Sequence, residues 1–156
     1  MISSAAFGLA LLAATLLACN AGPSMRRTGF ALSGCWFACI DAVLVSGRVD
    51  PWFAFAAFDA VAAVIVLAHP SSRPQAYIGC IYIVQVTVHL AYALVGSGPA
   101  TGLYLTMLTG GGWLQIAVLA GGAIYGQGKR RAVGRGMGGG GASAAEARAS
   151  GLASGE

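Results

Sequence analysis

The sequence predicts an all-α protein: a polytopic integral membrane bundle of five transmembrane helices, with the N-terminus outside and the C-terminus cytoplasmic. Three observations predict it. The chain has 156 residues, of which 57% are hydrophobic and 9% charged, whereas soluble domains carry about 25% charged residues. Five apolar runs, at 2–20, 28–46, 52–68, 75–95 and 103–126, each fall within the roughly 17–25 residues that span a bilayer. Every proline lies between runs: Pro23, Pro51, Pro70, Pro74 and Pro99. Unpaired backbone groups find no partner in hydrocarbon, so such runs must be helices. The roughly ten-residue alternation of a membrane β-barrel is absent.

The first run repeats a small residue every four positions: Ala6, Ala10, Ala14 and Ala18. That spacing lets a neighbouring helix approach closely. Leu16-Leu17-Ala18-Cys19 allows another reading, a cleaved lipoprotein-type signal peptide. Such peptides need a positive charge ahead of the apolar stretch, and here Arg26 and Arg27 follow it instead. An uncleaved first helix is the better expectation.

The second run carries Cys35, Cys39 and Asp41, and the third carries Asp59. The cysteines read as small packing residues. The two runs share a short similarity, Trp36-Phe37-Ala38 then Asp41-Ala42-Val43 against Trp52-Phe53-Ala54 then Asp59-Ala60-Val61. The fourth run places Tyr82, Gln85, His89 and Tyr92 on one helical face by their 3, 4, 3 spacing. The fifth contains Thr109, then Gly110-Gly111-Gly112, then the small pair Gly122 and Gly126. The glycine triplet is a place for a kink or a break. Gly122, Gly126, Ala10, Ala14 and Ala18 are the expected helix-packing positions, in this bundle or in a homo-oligomer.

From Gln127 onward the chain is rich in Gly, Ala and Ser with scattered charge. Residues 127–156 read as a disordered basic cytoplasmic tail beside a 1–126 transmembrane domain. Arg26, Arg27, Arg73 and the tail hold eight of the nine basic residues, and five spans put all eight on one side. Only Arg48 faces the other. By the positive-inside rule the eight are cytoplasmic, and the expected location is a cell membrane, a bacterial inner membrane. Trp52, Tyr92 and Tyr104 sit near outer ends and Tyr77 and Tyr125 near inner ends, as interfacial anchors do. The expected partners are the lipid bilayer and a second copy or a larger membrane complex. The basic tail is explained by anionic lipid, without nucleic acid.

Ionisable groups in a span cost about 2.5–3.5 kcal/mol on insertion scales. Asp41, Asp59 and His89 are such groups, and each lies roughly 7–11 Å below the outer boundary, at 1.5 Å per residue. Thr109 falls at the same depth. Together with Tyr82, Gln85 and Tyr92 they form the predicted intramembrane polar site. Two readings stand side by side. One is a cavity that binds or passes a proton, an ion or a small polar solute. The other is interhelical glue at about 0.6 kcal/mol per hydrogen bond.

No motif for catalysis, cofactor binding or metal ligation is present. The expectation is a non-enzyme without cofactor or metal. In size, small-residue content and basic tail the chain resembles the general build of holins, the lesion-forming phage proteins, though with more spans. An accessory subunit of a membrane complex is the third expectation.

Overall fold

The computed structural model describes residues 4–47, 51–68, 70–95 and 100–152, with side chains described as far as Lys129. It is all-helical: α1 Ser4–Cys19, α2 Pro23–Ser46, α3 Trp52–Leu67, α4 Arg73–Val95 and α5 Ala100–Leu152. Arg48 and Pro99, placed above between the apolar runs, lie outside the described residues.

The helix ends follow from local chemistry. Gly22 caps α2 at φ 134°, and Pro23 occupies its first turn, where its missing N–H leaves nothing unpaired. Consequently α2 begins five residues before the apolar run, and Arg26 and Arg27 belong to the helix rather than to a loop. At the other end Gly47 adopts φ 64°, a left-handed conformation that favours glycine, and its N–H donates to the Val43 carbonyl. Ahead of α4 the Ser71 N–H donates to Oε1 of Gln75 at 3.0 Å. This supplies a side-chain partner for a backbone donor at the helix entry.

Three helices are long and apolar enough to cross a membrane: α2, α4, and α5 as far as Lys129. Two shorter apolar helices, α1 and α3, have 16 residues each. Large apolar side chains lie on the outside, among them Leu9, Leu16, Val45, Val64, Leu94 and Leu114.

The core is built largely from small residues. Ala14 and Ala18 are buried on α1. A Cβ on Gly29 would sit 3.3 Å from that of Ala18, so α1 and α2 meet closely. The Thr15 and Ser33 hydroxyls bond across the same seam at 2.9 Å. Ala62, Ala63 and Val66 form the buried stripe of α3. On α5, a Cβ at Gly122 would approach Cβ of Pro74 to 2.7 Å. Ala10 is half-buried against the core; Gly126 is half-buried. Phe7 packs edge-on against Trp113 with centroids 5.2 Å apart, joining α1 to α5.

One expectation for α5 changes. The glycine triplet neither breaks nor ends the helix. Instead Gly111 and Gly112 lie under Gln85 and Phe7, where a Cβ would come within 3.1 Å and 2.9 Å. Those glycines serve close approach. The helix is described as far as Leu152. The chain divides into two compact units, Met1–Ile124 and Tyr125–Glu156.

Candidate functional site

Asp59 on α3 and His89 on α4 meet inside the first unit. Nε2 of His89 lies 3.0 Å from Oδ2 of Asp59, and both residues are buried, at 1% and 6% exposure. On its other side, Nδ1 of His89 lies 2.7 Å from the Tyr104 hydroxyl on α5. With Asp59 ionised, two proton arrangements satisfy both bonds. In one, neutral His89 donates from Nε2 to Asp59 and accepts the Tyr104 proton at Nδ1. In the other, an imidazolium donates to both. The second carboxylate oxygen, Oδ1, accepts from the Cys35 thiol of α2 at 3.2 Å.

A second layer fixes this line. Tyr104 stacks on Tyr92 with centroids 4.0 Å apart and planes 12° from parallel. The Tyr92 and Thr101 hydroxyls are 2.8 Å apart. One turn deeper, the Gln115 amide donates to Oε1 of Gln85 at 2.9 Å. The stack restricts the rotamer of Tyr104, which holds Nδ1 of His89.

A cavity of about 310 Å³ adjoins the pair and is lined by all five helices. Asp59, Tyr82, Gln85 and His89 form its polar wall, and Phe7, Trp36, Phe55 and Trp113 much of its apolar wall. Tyr82 is 1% exposed, and its hydroxyl has no hydrogen-bond partner among the described residues.

Of the residues singled out from the sequence, Tyr82, Gln85, His89 and Tyr92 occupy one buried face of α4, and Asp59 joins them. Asp41 does not. It is exposed on α2, because equal depth leaves the angle around the helix axis unspecified. The Thr109 side chain borders the cavity, yet its hydroxyl donates to the Leu105 carbonyl of its own helix at 2.8 Å. Tyr92 and Tyr104, read as interfacial anchors, are buried hydrogen-bonding residues instead; Tyr77 and Tyr125 are exposed.

Sequence reading passed over Thr101 and Gln115, read Cys35 as a packing residue and gave Tyr104 another role. A signal existed for two of them. Tyr104 and Gln115 are eleven residues apart, about three helical turns, so they share a face of α5. Among the described residues no three His, Cys, Asp or Glu side chains come together as a metal-ligand set. Comparison with protein-family models, with curated proteins and with solved structures finds no match.

Proposed function

We propose that this chain is a five-span membrane protein, N-terminus outside and C-terminus cytoplasmic, that binds and passes a small polar or charged solute. The solute site is the cavity beside Asp59 and His89, open towards the outside. The observation that carries this reading is a buried acid–imidazole pair on the wall of a cavity lined by all five helices. Pure packing glue calls for hydrogen bonds but not for 310 Å³ of space beside them, since cores otherwise pack to near crystal density. Ionisable groups at membrane depth mark solute and proton routes.

Membrane insertion is supported by the apolar outer surface. Leu, Val, Ile and Phe side chains stand exposed on every helix, an arrangement suited to lipid and unfavourable in water. With 16 residues each, α1 and α3 rise only about 24 Å at 1.5 Å per residue. A bilayer thins locally around such short helices at a fraction of a kcal/mol per Å.

Cys35 and Cys39 line the cavity and allow a direct test. In a Cys19→Ser, Cys80→Ser background, intact cells are treated with the impermeant reagent trimethylammonium-ethyl methanethiosulfonate. The reading expects modification that disappears when Cys35 and Cys39 are also replaced by serine. A Ser97→Cys control that reacts while the cavity thiols stay unmodified removes the solute-cavity reading. A membrane-potential dye addresses the lesion-forming role: abrupt collapse at a threshold amount of protein would support a holin in its place.

A further inference from the structure

The proposed cavity has a chemistry that narrows its occupant. Its only acidic group is Asp59, and no lysine or arginine among the described residues lines it. Oδ2 of Asp59 is engaged by His89, whereas Oδ1 receives just the Cys35 thiol, a weak donor. A carboxylate has about four acceptor positions, so Oδ1 retains capacity for a strong one. Across the polar wall the Tyr82 hydroxyl is buried and unpartnered. In a native interior such a group calls for a partner. The remaining wall is aromatic: Phe7, Trp36, Phe55 and Trp113.

We propose that the occupant is a protonated amine with an aromatic or branched alkyl body, its ammonium group held between Asp59 and Tyr82. This deepens the solute reading above and rests on it. One ammonium N–H donates to Oδ1 of Asp59 and another to the Tyr82 oxygen. The aromatic faces take the remaining positive charge by cation–π attraction and enclose the apolar body. In this complex His89 is neutral: Nε2–H donates to Asp59 and Nδ1 accepts the Tyr104 proton. Every hydrogen bond of the triad is thereby kept, and the carboxylate charge is left to the ligand. An anion would face Asp59, and the one cation available, a protonated His89, has both its N–H groups committed to Asp59 and Tyr104. A neutral polar molecule would leave that charge uncompensated in a medium of low dielectric. At about 310 Å³ the space is at the small end of ligand pockets, enough for one ring and a short ammonium arm.

The full-length protein in lipid nanodiscs, with empty nanodiscs as the partition control, is titrated with three probes of matched body: 2-phenylethylammonium, 2-phenylethanol and 3-phenylpropionate. Equilibrium dialysis gives the affinities, and quenching of Trp36 and Trp113 fluorescence places the site. The expected result is saturable binding of 2-phenylethylammonium at least tenfold tighter than either competitor. Asp59→Asn weakens it by tenfold or more. Tyr82→Phe weakens it by about threefold, and this variant deletes a hydroxyl with no partner in the empty bundle, so it remains informative even if Asp59→Asn fails to fold. Equal or tighter binding of the alcohol or the carboxylate overturns the amine. So does an affinity unchanged in Tyr82→Phe, or the absence of saturable ammonium binding. If the Cys35 and Cys39 thiols still react in those cases, the solute cavity stands and only the amine falls. Thiols that never react remove both.

Discussion

Nε2 of His89 stands 3.0 Å from Oδ2 of Asp59, and this contact joins α3 to α4 between residues thirty positions apart. Separate the two and Oδ2 of Asp59 and Nε2 of His89 each lose their partner in an apolar bundle, with only the Cys35 thiol and the Tyr104 hydroxyl left to hold them. The pair is therefore both a register device for the two helices and the polar end of the cavity.

A double-mutant cycle measures the register role. His89→Leu and Asp59→Leu each leave one buried partner stranded, which costs about 1–3 kcal/mol. The double variant removes both groups and is expected to lose less than the sum of the singles. Reversible unfolding in detergent micelles reads the difference. Strict additivity would mean that the two side chains do not interact.

Tyr104→Phe removes the hydroxyl that meets Nδ1 of His89 and keeps the ring stacked on Tyr92. The expected loss is about 1 kcal/mol, the usual net value of one hydrogen bond. Tyr104→Leu loses the stack as well and should lose more by the same unfolding assay. Equal losses in the two variants would place the whole contribution in the hydroxyl.

The five helices and their approximate ends were legible in the sequence because apolar length and proline position are one-dimensional signals. Pairing was not. His89 and its stripe on α4 could be found from spacing, but Asp41 and Asp59 stand at similar depth and only Asp59 faces inward. The angle around each helix axis is set by packing, here by Gly29 against Ala18 and Gly122 against Pro74. Cys35 and Tyr104 were hidden for another reason. A thiol and a tyrosine near a helix end have common bland roles, and their bonds to Asp59 and His89 exist only after the bundle closes.

Asp41→Asn tests the separation of the two carboxylates. Asp41 is exposed, so the change is expected to move unfolding stability by no more than about 0.5 kcal/mol. It should also leave cavity-thiol labelling at Cys39 unaltered. A loss matching that of Asp59→Leu would mean that Asp41 belongs to the buried set after all.

Two adjacent glycines on α5 give opposite expectations. At Gly122 an added Cβ meets Cβ and Cγ of Pro74 at 2.7 Å and 2.8 Å, on a ring that cannot rotate away. Gly122→Ala is expected to destabilise by about 1–3 kcal/mol, as overpacking does. At Gly121 the space is open, and Gly121→Ala is expected to be neutral or stabilising by up to about 1 kcal/mol through helix propensity. Thermal unfolding of the two variants side by side settles the order, and a reversed order would mean that α5 packs with a different face.

The central claim is that five helices cross the membrane and present the Asp59–His89 cavity to the outside. Reporter fusions at two positions test it most directly. Alkaline phosphatase, active only outside the cytoplasm, is fused at Ser97, and a cytoplasm-dependent fluorescent protein is fused after Gly128. The account predicts activity from both fusions and from neither when the reporters are exchanged. Phosphatase activity after Gly128, or its absence at Ser97, would contradict the five-span topology and with it the outward-facing cavity.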